Sequence, residues 1–288
     1  MNPASATEPD SLTTAPAHVG ILGGGRMGAG IAHAFLLAGS RVTIVERDET
    51  SADAAAARVR ESLARSVQRG GTQVALGALE GALTVRLQVA DFAACDLVVE
   101  AVPEDRALKL DALTRVEAVL SDTAALASNT SSISIDDLAG ELRDPARFLG
   151  LHFFNPVPAS ALVEIVAGTA TAPELIADAR SWVTAIGKTP IVVRDSPGFA
   201  SSRLGVALGL EAIRMLEEGV AAAEDIDAAM QLGYRHPMGP LRTTDVVGLD
   251  VRLGIAEELH AKLGERFAPP ELLRRLVAEG HLGRKTGR

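Results

Sequence analysis

The stretch that most restricts what this chain can fold into is "HVGILGGGRMGAGIAHAFLLAG", His18–Gly39. An apolar run of strand length enters a glycine-rich turn, and a helical pattern leaves it. Gly23, Gly25 and Gly28 are spaced G-x-G-x-x-G. The first glycine permits the tight turn, the second lets backbone approach a pyrophosphate, and the third lets the helix pack closely on the sheet. The helix N-terminus then faces the phosphates with its unpaired N–H groups. Such a turn is common by itself, but here an acid, Glu46, ends the next β-like run "RVTIVE" about 20 residues on. The turn Gly23, Gly24, Gly25, Arg26, Met27 and Gly28 is therefore expected to cradle a dinucleotide. Glu46 is expected to accept from ribose hydroxyls and to repel a 2′-phosphate, which favours NAD over NADP. Arg47 beside it is either a solvated loop charge or a group that accommodates that phosphate.

The alternation continues with a helix from about Ala52 to Gln68, the strand "DLVVEAV", a helix over Glu104–Leu120 and the strand "AALASN". Two more β-like runs follow, "RFLGLHF" and "ALVEIVAG", then a helix over Pro173–Ile186 and the strand "TPIVVRD". Strands alternating with helices predict a parallel sheet covered on both faces. After "DSPGF" every segment is helical in period. The expected architecture is an α/β Rossmann-like N-terminal domain followed by an all-α C-terminal domain. The boundaries read as a disordered tail over 1–17, rich in Ala, Pro, Ser and Thr, an NAD-binding domain over 18–195, and a helical substrate and dimerisation domain over 196–288.

Composition narrows the partners. A formal charge of -9 argues against a nucleic-acid surface. No apolar run is long enough to span a membrane, and the start lacks the charged and apolar regions of a secretory signal. The single cysteine, Cys95, excludes an intrachain disulfide and fits a buried residue near a strand in a reducing, cytoplasmic setting. The six histidines are scattered without ligand spacing, so no metal is expected.

Two polar residues interrupt the apolar runs "GLHFFNPVP" and "LVEIV": His152 and Glu164. Oxidising an alcohol needs a base for the hydroxyl proton, and histidine has a suitable pKa. A carboxylate beside it would stabilise the imidazolium and fix the tautomer. The turn "NPVPAS" could bring the two together. Spacing alone leaves a second reading open, in which each is an isolated, hydrogen-bonded core residue.

The motifs "GGGRMGAGIA", "VVEAVPEDRALK", "ASNTSS", "GLHFFNPVP", "LVEIV", "DSPGF", "EDIDAAM", "HPMGP" and "GRKTG" occur in this order. From about His18 to Arg288 the chain resembles the 3-hydroxyacyl-CoA dehydrogenases, particularly the short bacterial 3-hydroxybutyryl-CoA type. The resemblance implies reversible NAD-dependent oxidation of a short (S)-3-hydroxyacyl thioester, with His152 as base and acid and Glu164 orienting it. It implies Ser131 at the substrate oxygen, Asn155 at the nicotinamide end, Glu104 and Lys109 near NAD, and Lys285 reaching the cofactor. It places Ser62 and Arg69 against CoA and implies a homodimer through the C-terminal domain. Without the resemblance, Lys109 and Arg69 read as solvated helix charges.

The chain departs from the family at "PGFASSR", where Ser202 stands in place of the usual Asn near the substrate. Serine keeps a hydrogen-bonding group but is shorter. "LGYRHPMGP" carries Tyr234 and Arg235 where small residues are more usual, and the chain stops at "GRKTGR". Three alternatives follow: the same chemistry on an acyl-carrier-protein thioester in secondary metabolism, oxidation of a free sugar acid, or a non-catalytic NAD-binding or structural protein.

Overall fold

A computed structural model describes residues 14–287 of the 288-residue chain. It divides into two compact units, one reaching to Asp195 and one beginning at Ser196. Most of the segment expected as a tail, 1–13, lies outside the described residues. Its last residues differ from that expectation: Ala15 packs against the core, and Pro16 accepts a hydrogen bond from Ser40 Oγ at 2.7 Å. A buried hydroxyl needs that acceptor, so the chain is tied down before the first strand.

The first unit begins with β1 (His18–Leu22), α1 (Arg26–Leu37), β2 (Arg41–Val45), α2 (Glu49–Gln68), α3 (Leu76–Gly81), β3 (Leu83–Arg86) and β4 (Leu97–Glu100). It continues through α4 (Arg106–Glu117), β5 (Ala125–Ser128), α5 (Ile135–Ala139), β6 (Phe148–Phe153), β7 (Leu162–Ala167), α6 (Pro173–Ala185) and β8 (Thr189–Arg194). The sheet order is β3-β2-β1-β4-β5-β6-β7-β8. Val19, Ile21, Leu97, Val99, Leu149, Leu151, Val163 and Ile165 are fully buried, as strands covered on both faces require. Asp48 caps α2, accepting from Ser51 N at 2.7 Å, and Asp105 caps α4, accepting from Leu108 N at 2.9 Å.

The sheet is not wholly parallel. β6 and β7 run antiparallel, because the segment between them has no crossover helix. The strand β3 and the helices α3 and α5 carry too few apolar residues in period to be read from the sequence.

The second unit contains α7 (Ser201–Glu217), α8 (Ala223–Ala228), α9 (Pro240–Val247), α10 (Leu249–Leu263) and α11 (Glu271–Ala278). Val206, Leu210, Ile213, Leu249, Ala256, Leu259, Phe267 and Leu273 form its core. Asp227 accepts from the N–H groups of Leu241 at 2.8 Å and Arg242 at 3.0 Å, capping α9. A side chain on Gly239 would meet that carboxylate at 2.2 Å, which explains the glycine of "HPMGP". No helix among the described residues is long and apolar enough to cross a membrane.

Candidate active site

The glycine turn does what its spacing demands. Gly23 has φ +92°, in the left-handed region, and a Cβ on Gly28 would lie 1.8 Å from the Gly23 carbonyl oxygen. A Cβ on Gly25 would meet nothing within 4 Å. That open approach lies at the N-cap of α1, which has no side-chain cap and no acidic residue in its first turn. The residues therefore fit a pyrophosphate bound on N–H groups and the positive end of the helix dipole. Glu46 Oε1 accepts from Gly24 N at 2.7 Å, so this acid is fixed to the turn itself. Arg47 is 84% exposed and pairs with Asp48 at 2.9 Å, as a solvated loop charge does.

At the opposite edge of β1, the end of β4 opens into a buried polar network. Lys109 is 1% exposed, and its ammonium reaches Glu100 Oε1 at 2.8 Å, the Val102 carbonyl at 3.1 Å and Glu104 Oε2 at 3.2 Å. Three donors meet three acceptors, so the reading of Lys109 as a solvated charge is wrong: the helix turns it inward onto two carboxylates. Glu100 also accepts from Ser128 Oγ at 2.6 Å, joining β4 to β5. Glu104 Oε1 accepts from Thr130 Oγ1 at 2.6 Å, Ser131 N at 2.9 Å and Ser132 N at 3.0 Å. Burial raises the Glu104 pKa, but the charge of Lys109 and these hydrogen bonds outweigh it and hold the carboxyl below its ordinary value.

His152 and Glu164 are register partners across the β6–β7 pair. Nδ1 of His152 lies 2.7 Å from Glu164 Oε2, with the histidine side chain 7% and the glutamate 0% exposed. The two readings left open by the sequence are thereby separated: the residues form one pair. An ionised carboxylate only accepts, so the contact suits the tautomer in which Nδ1–H donates and Nε2 is left as acceptor. The His152 ring also packs on Phe154, with centroids 4.5 Å apart. Asn129 Oδ1 accepts from Phe153 N at 2.9 Å, tying the serine loop to the end of the histidine strand.

The structure thus brings together Gly24 with Glu46, Glu104 with Lys109 and Ser131, and His152 with Glu164. Asn155 is exposed in the loop after β6. Ser62 is half-buried on α2 and Arg69 is exposed at its C-cap; among the described residues neither side chain bonds to another candidate. In the second unit, Ser202 is half-buried in the first turn of α7, and Lys285 pairs with Asp250 at 2.5 Å. Tyr234 is 75% exposed. Cys95 is buried, and burial pushes its thiol up to about 12, which leaves it unreactive. Glu100, Ser128 and Asn129 were not singled out in the sequence, although they lie inside quoted motifs. Buried polar residues at strand ends were the available signal.

Residues 18–196 match the sequence profile of the 3-hydroxyacyl-CoA dehydrogenase NAD binding domain, and residues 198–288 match that of the family's C-terminal domain. A 3-hydroxybutyryl-CoA dehydrogenase of Mycobacterium tuberculosis is 41% identical over 96% of this chain and 98% of its own. A probable 3-hydroxybutyryl-CoA dehydrogenase of Deinococcus radiodurans is 40% identical over 93% of this chain and 97% of its own. The crystal structure of (S)-3-hydroxybutyryl-CoA dehydrogenase PaaH1 from Ralstonia eutropha superposes with a TM-score of 0.90 at 37% identity, covering 95% of this chain and 98% of that one. With both domains matched and relatives aligned over nearly their whole length, the chain belongs to the 3-hydroxyacyl-CoA dehydrogenase family and is an NAD-dependent oxidoreductase.

Proposed function

We propose that the protein interconverts a short (S)-3-hydroxyacyl-CoA and its 3-ketoacyl thioester, with His152 as base and acid. The observation that carries this reading is the buried His152–Glu164 contact of 2.7 Å on adjacent strands. In the oxidative direction, Nε2 of His152 takes the 3-hydroxyl proton as the C3–O bond becomes a carbonyl. NAD, when bound, would supply the acceptor for the hydride that leaves C3. Glu164 holds the ring in the tautomer that exposes Nε2 as acceptor and stabilises the imidazolium formed. Ser131, on a loop fixed by Glu104, steadies the substrate oxygen. Glu46 selects NAD over NADP. Asn155, Lys109 and Lys285 are assigned to the cofactor side by resemblance; the saturated ammonium of Lys109 favours an indirect part for it, through Glu104. Ser62 and Arg69 are assigned to CoA, and Ser202 to the substrate.

CoA is preferred to acyl carrier protein as the carrier. Relatives named for a CoA substrate align end to end with this chain, and a charge of -9 disfavours an acidic carrier protein. The intact pair also favours catalysis over a structural or sensing role. We place the protein in the cytoplasm, in keeping with its one buried, unoxidised cysteine. The homodimer is supported by exposed apolar side chains of the second unit, among them Leu204, Leu232, Val246, Val247 and Val251.

The test is NADH consumption by the full chain with acetoacetyl-CoA. Rapid turnover is expected, together with a lower KM for NADH than for NADPH. A folded protein that binds NADH and reduces no 3-ketoacyl thioester would refute the reading.

A further inference from the structure

The sheet order β3-β2-β1-β4-β5 changes direction between β1 and β4. A dinucleotide on such a sheet lies across the carboxyl ends of the strands at this switch point, one nucleotide to each half. Glu46, just after β2, takes the adenosine half, so the nicotinamide half falls to the ends of β4 and β5. The oxidised nicotinamide ring is a cation and the reduced ring is neutral. Fixed charge at the ends of β4 and β5 therefore discriminates between the two oxidation states.

The charge there is unbalanced. Glu100 is the last residue of β4 and is 0% exposed. Its carboxylate only receives hydrogen bonds: Oε1 from Val102 N at 2.7 Å and Lys109 Nζ at 2.8 Å, and Oε2 from Ser128 Oγ at 2.6 Å. Lys109 also pairs with Glu104 Oε2 at 3.2 Å. Burial works to raise the Glu104 pKa, but the charge of Lys109 and the bonds from Thr130 and Ser131 prevail and keep this carboxyl ionised. Two carboxylates thus share one ammonium, and one negative charge is left over. A structural ion pair needs only one carboxylate, so the second is unexplained by packing. Asp105 and Arg106 beside them are exposed and opposite in sign, so they add little net field.

Glu100 is too deeply buried to touch a ligand, so its influence is carried by charge. We propose that Glu100, by leaving the Lys109–Glu104 group negative, sets the preference of the site for the oxidised cofactor: it strengthens binding of NAD⁺ and leaves binding of NADH unchanged. The protein then captures the oxidised cofactor readily and lets the reduced one go after each oxidation. This rests on the assignment of adenosine to the Glu46 side and is independent of the acyl substrate.

The test measures binding rather than turnover. Glu100→Gln removes the charge at nearly constant shape: the amide oxygen still accepts from Val102 and Lys109, and the amide nitrogen donates to Ser128 Oγ. Calorimetric titration of the full chain with NAD⁺ and with NADH, without acyl substrate, gives a Kd for each. The ratio of Kd for NAD⁺ to Kd for NADH is expected to rise at least about three-fold in Glu100→Gln, through NAD⁺ alone. Both forms share the adenosine and the pyrophosphate, so damage to folding or loop order weakens them together. Equal weakening would therefore overturn the proposal, as would an unchanged ratio or one that falls. If Glu100→Gln does not fold, Glu104→Gln, which removes the other carboxylate from the same ammonium, must raise the ratio at least about three-fold; no rise overturns the proposal. Glu46→Ala, titrated in parallel, is expected to weaken both forms alike. No effect of Glu46→Ala refutes the adenosine reading alone. A rise in the ratio as large as that in Glu100→Gln would overturn the proposal, since the discrimination would not then belong to the ends of β4 and β5.

Discussion

At the scale of single residues, the site depends on charges taken out of water in complementary groups. Lys109 and Glu100 are both essentially inaccessible, yet each finds its partner and further hydrogen bonds. Removing one partner of such a pair leaves the other charge stranded, at a typical cost of about 3–5 kcal/mol. Lys109→Met is therefore expected to lower stability by about that amount in urea unfolding, whereas Lys109→Met combined with Glu100→Leu recovers part of the loss. His33, on α1, shows the opposite logic. Its Nε2 lies 2.8 Å from Ser66 Oγ, and burial, followed by the charges of Lys188 and Arg65, lowers its pKa from 6.5 to about 4. The unfolded chain then binds more protons between these values, so stability is full above pH 6.5 and falls as the pH drops toward 4. The loss is at most roughly 3 kcal/mol. His33→Gln should flatten that slope in denaturant titrations at pH 7 and pH 5. Neither environment was legible from sequence. Lys109 sits in a helix whose apolar residues form no clear stripe, and only the fold shows that it turns toward Glu100.

Among the elements, the glycine turn was the most legible, because its geometry is local. The strand, the turn and the helix N-terminus are consecutive, and each glycine has one physical task. Gly25 and Gly28 make this testable. Gly25→Ala places a methyl group in open space and is expected to leave urea unfolding unchanged while weakening NADH binding ten-fold or more. Gly28→Ala drives a methyl group onto the Gly23 carbonyl and is expected to destabilise the domain as well. The β6–β7 hairpin was legible as two β-like runs but not as an antiparallel pair. Its register depends on long-range contacts, including Lys188, whose ammonium holds the carbonyls of Val157 at 2.6 Å and Ser160 at 2.5 Å. That register, rather than the twelve-residue spacing, sets His152 opposite Glu164.

For the whole molecule, family membership was legible from many short motifs in order, while the buried networks that unite them were not. "VVEAVPEDRALK" and "ASNTSS" are remote in sequence, and Glu100 and Glu104 join them through Ser128 and Thr130. The proposed dimer makes its own prediction. The protein should sediment as a dimer, and Val246→Asp with Val247→Asp should shift it to monomer without unfolding it. A dimer unmoved by these changes would place the interface elsewhere. The central claim is that His152 and Glu164 act as one catalytic unit, and kcat for acetoacetyl-CoA reduction by folded His152→Ala, Glu164→Gln and double variants tests it most directly. Loss of the base should cost about 10²–10⁴-fold, and the double variant should be scarcely worse than His152→Ala, because residues acting as a unit are not additive. Near-normal turnover in His152→Ala, or losses that multiply in the double variant, would contradict the account.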